Sequence, residues 1–180
     1  AYEGASAIVI PSLCDTLKGL GENWKYAVKD IPFIPMTYPQ NRKPEYGIAY
    51  TKAGYERVIK DLEKTGAEFS MEALQKSNAV YIRHNKVMRR LEKALTEHPE
   101  ITAAQRSDLF KSAFFMLKEE HTELIEQFLT ELYKEQPGEA KIPVIVSGIL
   151  TDSQGFNEIL DELNMHIVAD DVAAQSRQYR

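Results

Sequence analysis

The single cysteine of the chain, Cys14, lies between an apolar run and a segment that can form a helix. Residues 7–10 are apolar and are followed by Pro11, which is typical of a short strand in a covered sheet. A helix can then begin near residues 13–20. A sulfur at such a turn lies near unpaired backbone N–H groups, which favour the thiolate that binds metals or attacks electrophiles. A buried structural cysteine is the alternative interpretation.

A short loop bounded by prolines carries a second group of candidate residues, Gln40, Asn41 and Arg42. Two amides and a guanidinium could hold an anionic or amide-rich ligand, with the arginine forming two parallel hydrogen bonds. A solvated connection between two elements is the alternative, because most polar loops have that role.

A third group, Asp170, Asp171 and Arg177, follows the last predicted strand. Sites in open α/β folds gather beyond the carboxyl ends of strands, so these side chains could contact a metal or a substrate. Aspartates at the start of a helix also satisfy free N–H groups, so capping combined with a salt bridge is the alternative.

The composition limits the class of protein. The chain has 180 residues, of which 43% are hydrophobic and 27% charged, with a net charge of −5 that is spread along the sequence. We therefore expect a globular protein whose partners include neither nucleic acid nor a membrane. One cysteine cannot form an internal disulfide, which favours the cytoplasm. The chain does not begin with methionine, and we expect it to be part of a longer protein.

The order of predicted elements indicates an α/β fold with parallel sheets. Strand and helix alternate in residues 1–50, helices fill residues 51–139, and alternation returns in residues 140–180. Ser70 is the predicted start of a long helix, and Thr102 with Gln105 forms a predicted capping box. Phosphate-binding glycine motifs, zinc motifs and nucleophile elbows are not found in the sequence.

Several segments in order along the chain resemble the 2-hydroxyglutaryl-CoA dehydratase and benzoyl-CoA reductase family. The resemblance rests on SLCDTLK at residues 12–18, QNRK at 40–43, VADDVA at 168–173 and SRQYR at 176–180. The helical middle is similar as well, so the resemblance covers nearly the whole chain.

The resemblance implies two Rossmann-like parallel-sheet subdomains, here partial, connected by a helical region. It implies a heterodimeric anaerobic enzyme with a second dehydratase or reductase subunit and an ATP-dependent activator iron–sulfur protein. In most members three cysteines of a subunit hold a [4Fe–4S] cluster. One-electron reduction of an acyl-CoA thioester then leads to loss of the 2-hydroxyl group in dehydratases, or to reduction of an aromatic ring in reductases.

Residue by residue, Cys14 matches a cysteine ligand of the cluster. Six polar positions also match the family and are substrate-binding candidates without assigned roles: Gln40, Asn41, Arg42, Asp170, Asp171 and Arg177. One thiolate cannot anchor four irons, so we expect the isolated chain to be inactive and the other ligands to lie outside it. The alternative function is a non-catalytic α/β binding or assembly protein that keeps the fold without a cluster.

Overall fold

The computed structural model describes residues 4–180, which form two compact units. Among these residues the first unit ends at Leu74 and the second is Gln75–Arg180, and the boundary between them falls inside a helix. The first unit contains β1 (Ile8–Pro11), α1 (Asp15–Ala27), β2 (Phe33–Met36), α2 (Pro44–Glu63) and the first residues of α3 (Met71–Glu97).

The two strands of the first unit pair in parallel, with Val9 opposite Ile34. The predicted first strand is confirmed, but it is displaced by one residue and includes Pro11. The core under this sheet is formed by Ile34, Met36 and Val58, with Ala7 and Leu62 packed at its margin. The Trp24 indole of α1 donates a hydrogen bond of 2.9 Å to the carbonyl of Ile31, which ties α1 to the segment before β2.

The second helix begins with Pro44 in its first turn. Proline has no backbone N–H, but the first N–H groups of a helix have no partner within the helix, so none is lost here. After the helix, Gly66 has φ +92°, and its N–H donates to the carbonyl of Glu63. A left-handed residue beyond the last turn is the usual place for glycine, because a side chain there would be strained. Gly66 therefore marks the end of this helical segment.

The second unit contains the rest of α3, then three helices, two strands and two 3₁₀ turns. They are α4 (Ala103–Lys111), a 3₁₀ turn (Ser112–Phe114), α5 (Lys118–Leu132), β3 (Ile142–Gly148), α6 (Gln154–Glu162), β4 (Met165–Val172) and a second 3₁₀ turn (Ser176–Tyr179). The fold is thus α/β with two parallel two-stranded sheets and a helical middle region, as predicted.

The helical part of the second unit has an apolar core of its own. α3 starts after Ser70, whose hydroxyl accepts a hydrogen bond from the N–H of Ala73, and this confirms the predicted helix start. Most of its first half is exposed, whereas one face of its second half is buried against α4 and α5. The largest fully buried apolar side chains of this core are Met88, Leu91, Leu95, Phe110, Ile125 and Leu129.

The start of α4 is capped from two directions. The Thr102 hydroxyl accepts from the N–H of Gln105, and the Gln105 side chain accepts from the N–H of Thr102, which confirms the predicted capping box. The Asp161 carboxylate of α6 also accepts from the N–H of Ala103 at 2.7 Å. Because a carboxylate complements the positive end of the helix, this contact fastens α6 to α4.

The second sheet pairs β3 with β4 in parallel, with an irregularity between Val144 and Ile145. The predicted order of strand, helix and strand is confirmed, but β4 continues to Val172. Asp170 and Asp171 are therefore part of the strand and do not follow it. Because side chains alternate along a strand, Asp170 is buried in the protein interior and Asp171 is exposed. Within residues 4–180, no helix is both long enough and apolar enough to cross a membrane.

Candidate functional site

Cys14 lies at the junction that the sequence predicts, between β1 and α1. It is the residue immediately before the helix, with φ −148° and ψ 170°, and its side chain is exposed. Its carbonyl accepts from the N–H of Lys18 at 3.1 Å, while its thiol takes no part in capping the helix. The alternative of a buried structural cysteine is therefore wrong for this chain.

The turn that carries Cys14 is fastened to the neighbouring strand. The N–H of Ser12 donates to the carbonyl of Met36 at 2.7 Å, which extends the pairing of β1 and β2 by one hydrogen bond. Asp15 and Lys18 form an exposed ion pair of 3.3 Å in the first turn of α1. The thiol is thus presented at the carboxyl end of a sheet from a backbone that is held on both sides.

The residues present fit one ligand of an iron–sulfur cluster and not a complete site. Such clusters are held by cysteine thiolates, and the chain has one cysteine. Among the described residues, no group of three or more histidine, cysteine, aspartate or glutamate side chains could hold a metal ion. A cluster bound at Cys14 would therefore need ligands from polypeptide outside these 180 residues.

The candidate loop lies at the same end of the first sheet as the cysteine turn, because β1 and β2 are parallel and both segments follow a strand end. Asn41 accepts the N–H of Lys43 at 3.1 Å and so shapes the entry into α2. Gln40 and Asn41 line an open groove of about 450 Å³ together with Ser12, Lys18, Thr37, Tyr38, Pro39, Tyr46 and Tyr50. The structure thus brings this loop to the turn before Cys14.

Arg42 lines a larger and mainly apolar groove of about 860 Å³ in the first unit. Leu13, the residue before Cys14, lies in its wall. Tyr38 and Tyr55 contribute to the same wall, and burial together with a hydrogen bond between them raises the pKa of Tyr38. A cation beside an apolar groove can recognise a ligand that has an apolar part and an anionic part.

Asp170 is enclosed by protein groups. Its carboxylate accepts from a guanidinium nitrogen of Arg106 at 2.5 Å, from the N–H of Val172, and from both the N–H and the hydroxyl of Ser176. Only 2% of its surface is exposed. This arrangement matches the capping alternative, since the carboxylate joins the end of β4 to the following turn.

Asp171 and Arg177 form an exposed pair beyond the same strand. The guanidinium of Arg177 donates to the Asp171 carboxylate at 2.9 Å and to the carbonyl of Gly148 at 3.2 Å. These groups lie at the carboxyl ends of β3 and β4, where a ligand could reach them. Asp170, Asp171 and Arg177 therefore form a cluster within the second unit, with one buried and two accessible members.

Three features of the second unit were not anticipated from the sequence. Arg106 is the buried partner of Asp170, His84 and His121 form a buried hydrogen-bonded pair of 3.0 Å, and Gln175 is a buried amide. The partners of the first two pairs are 64 and 37 residues apart, so no local pattern indicates them. The burial of Arg106 is also unexpected from its type, because arginine is seldom fully buried.

Comparison with known proteins identifies the relatives of this chain. The family model of the 2-hydroxyglutaryl-CoA dehydratase D-component matches residues 1–180. The (R)-phenyllactyl-CoA dehydratase beta subunit of Clostridium sporogenes is 42% identical over 99% of this chain and 49% of its own length. The lactoyl-CoA dehydratase subunit beta of Anaerotignum propionicum is 38% identical over 100% of this chain and 48% of its own length.

A benzoyl-CoA reductase subunit of Thauera aromatica is a more distant relative, 24% identical over 91% of this chain and 44% of its own length. The chain spans about half the length of the curated relatives that it matches. The resemblance noted in the sequence is thus confirmed along the whole chain. The chain belongs to the 2-hydroxyglutaryl-CoA dehydratase D-component family.

Proposed function

We propose that this chain is part of the beta-type subunit of a radical-type 2-hydroxyacyl-CoA dehydratase, in which Cys14 supplies one ligand of a [4Fe–4S] cluster. The observation that carries the proposal is the exposed thiol of Cys14 at the carboxyl end of β1, on a turn whose capping does not use it. Such a cluster would supply the electron for one-electron reduction of an acyl-CoA thioester, after activation by an ATP-dependent iron–sulfur protein.

Two features support a ligand role for the cysteine. Its thiol is exposed, so a cluster held from another part of the protein can reach it. Its backbone is fixed by the hydrogen bonds from Ser12 to Met36 and from Lys18 to Cys14, so the sulfur position is set before the metal binds. A ligand that is already positioned loses less conformational entropy on binding.

The polar candidates have different proposed roles. Gln40 and Asn41 line one groove beside the cysteine turn and Arg42 lines the other, and we propose that they contact the anionic or amide parts of an acyl-CoA. Asp171 and Arg177 are accessible and remain candidates for substrate contact. Asp170 is enclosed, so we propose that it positions the segment that carries these two residues.

Identities of 42% and 38% to dehydratase beta subunits, against 24% to a benzoyl-CoA reductase subunit, support the dehydratase reaction over ring reduction. The names of these relatives support a second subunit as the partner. We also propose a cytoplasmic location, where thiols stay reduced.

The cluster proposal is tested on the full-length protein purified without oxygen. We expect iron, sulfide and the broad visible absorption of a [4Fe–4S] cluster in the unchanged protein. Cys14→Ser should lower the iron content strongly, because serine is a poor substitute for a thiolate. Ser12→Ala is the matched control in the same turn and should keep the iron, since the backbone N–H of Ser12, not its hydroxyl, donates to Met36.

The same measurements separate the two candidate functions. If Cys14→Ser keeps its full iron content, Cys14 is not a ligand. If the unchanged full-length protein contains no iron, the alternative of a non-catalytic binding or assembly protein is supported. Activity is then measured with the partner subunit, the activator and 2-hydroxyacyl-CoA thioesters, with aryl-CoA thioesters as the comparison.

A further inference from the structure

The second unit contains a cavity of about 270 Å³ at the carboxyl ends of its two strands. The loop after β3 and the segment after β4 form one side, because the N–H of Ala173 donates to the carbonyl of Gly148 and the N–H of Ala174 to that of Ile149. The end of α4 and the 3₁₀ turn after it form the other side. Cavities at this position of an α/β sheet commonly bind ligands.

The lining of this cavity is aromatic and apolar with a few polar groups. Phe110 is fully buried, whereas Phe114 and Phe115 are 57% and 80% exposed. Phe114 and Phe115 lie beyond α4, which ends at Lys111. The remaining lining residues are Ser107, Lys111, Leu150, Thr151, Asp152, Ala174 and Gln175.

The charges in the lining are already paired. Lys111 and Asp152 form an ion pair of 3.0 Å, and the hydrogen bond from Lys111 lowers the pKa of Asp152. A ligand of either charge would have to compete with this pair. The cavity therefore favours a neutral ligand with an apolar body.

One buried polar atom of a lining residue lacks a hydrogen-bond partner among the described residues. Gln175 is 4% exposed, and its amide N–H donates to the Thr151 hydroxyl at 2.8 Å. Its amide oxygen Oε1 is buried and has no hydrogen-bond partner among the described residues. A buried acceptor without a partner destabilises the folded protein, and a ligand that donates to it would relieve this penalty. The terminal torsion of glutamine is soft, so the amide can turn toward a donor in the cavity.

We propose that this cavity binds a small neutral aromatic molecule with one O–H or N–H donor, such as a phenol, whose ring packs against Phe114 and Leu150 and whose donor bonds to Gln175 Oε1. An apolar cavity of about 150 Å³ accepts benzene, so 270 Å³ has room for a substituted ring. Offset or edge-to-face contact with phenylalanine rings favours an aromatic ligand over an aliphatic one. This site is independent of the iron–sulfur proposal, since it uses neither Cys14 nor the first unit.

The test uses three probes of similar size with the full-length protein. p-Cresol can donate a hydrogen bond, 4-methylanisole can only accept one, and toluene can do neither. Binding is measured by NMR titration. We expect p-cresol to bind at least about five-fold more tightly than the other two, which corresponds to one net hydrogen bond.

Variants locate the site and the acceptor. Gln175→Leu should remove the preference for p-cresol over toluene. Thr151→Val is the matched control, because it removes the hydroxyl that contacts Gln175 but leaves the acceptor, and it should keep the preference. Ala174→Phe places a ring in the cavity and should abolish binding of all three probes, and circular dichroism checks that each variant is folded.

Four results would overturn the proposal. They are equal binding of p-cresol and toluene, equal binding of p-cresol and 4-methylanisole, unchanged binding to Ala174→Phe, and no binding of any probe. The last result would mean that a side chain from elsewhere in the full-length protein already fills the cavity.

Discussion

At the scale of single residues, two adjacent aspartates differ because of strand geometry. Successive side chains of a strand point to opposite faces, so Asp170 faces the interior and Asp171 faces outward. Asp170 has Arg106 as its charged partner, and two other nitrogen atoms of that guanidinium have no hydrogen-bond partner among the described residues. Neutralisation of the buried Arg106 charge therefore depends mainly on the Asp170 carboxylate.

The aspartate pair gives a matched test of burial. Asp170→Asn should lower the free energy of unfolding by about 3–5 kcal/mol, because it leaves the buried charge of Arg106 uncompensated. Asp171→Asn should cost less than about 1 kcal/mol, since its partner Arg177 is exposed. Urea unfolding of both variants measures the difference, and equal midpoints would contradict this account.

The buried histidines form a chain of hydrogen bonds whose direction can be assigned. The Ser112 hydroxyl donates to the carbonyl of Leu109, so it accepts from Nε2 of His121 at 2.9 Å. Nδ1 of His121 is then the acceptor for Nε2–H of His84. Burial lowers the pKa of His84 to about 4, with the charges of His121 and Lys118 as smaller causes, and burial lowers the pKa of His121 as well. Both imidazoles are thus neutral at pH 7.

Acid should therefore destabilise this region. Between pH 6.5 and about 4 the unfolded chain binds more protons at His84 than the folded one, so stability is present above pH 6.5 and is lost as the pH falls. From pH 7 to pH 5 the expected loss is about 2 kcal/mol, measured by urea unfolding. His84→Gln should reduce this loss, and an unchanged pH dependence in that variant would exclude the histidine as its source.

At the scale of elements, α1 contains two glycines in different surroundings. A Cβ on Gly19 would meet no atom within 4 Å, whereas a Cβ on Gly21 would lie 2.4 Å from the ring of Phe33 in β2. Gly21 thus leaves room for the Phe33 ring where α1 approaches β2. Gly19 is not required by any contact, although both positions lie within the same helix.

Alanine at these two positions should have opposite effects. Gly19→Ala should stabilise by about 0.5–1 kcal/mol, because alanine is the better helix former. Gly21→Ala has the same gain but must displace the Phe33 ring, and overpacking of this kind typically costs about 1–3 kcal/mol. Thermal unfolding compares the variants. A stabilised Gly21→Ala protein would show that the ring moves aside at little cost.

The contact between α6 and α4 can be tested in the same way. Asp161→Ala should destabilise by about 1–2 kcal/mol, because the N–H groups of Ala103 and Ala104 lose a charged acceptor at a helix start. Glu158→Ala on the same helix removes only an exposed contact with Gln154 and is the control. Similar losses of stability in urea for the two variants would argue against the capping role.

At the scale of the whole molecule, residues 4–180 form two sheets of two strands each, and large apolar side chains remain exposed. Ile145 of β3 is 74% exposed, Ile149 is 76% exposed and Phe115 is 80% exposed. Unpaired strand edges and apolar surface of this kind normally contact other polypeptide. The relatives are about twice as long as this chain, so in the proposed full-length protein further polypeptide could cover these surfaces.

The 180 residues expressed alone should therefore self-associate. We expect the sedimentation coefficient to rise with concentration, and Ile145→Thr with Phe115→Ser should reduce this rise by removing exposed apolar area. The full-length protein should show no such dependence on these two residues. A monomeric 180-residue chain at all concentrations would mean that the exposed area is too small to drive association.

The sequence by itself determined the features that depend on neighbouring residues. The turn at Cys14, the start of α3 at Ser70, the capping box at Thr102 and the glycine after α2 all follow from local hydrogen bonding and backbone preference. The family was also recognisable, since its motifs are local. The end of β4 was less predictable. An aspartate such as Asp170 can be buried in a strand only when a cation accompanies it, and here that cation is Arg106, which is distant in sequence.

The tertiary structure alone decided which side chains meet. The pairs of Asp170 with Arg106 and of His84 with His121, and the cavity beside Gln175, join segments that are far apart in sequence. Periodicity reports which face of an element is apolar, but not which residue of another element lies opposite it. Only packing brings these groups within hydrogen-bond distance, because each contact depends on the position and orientation of whole elements.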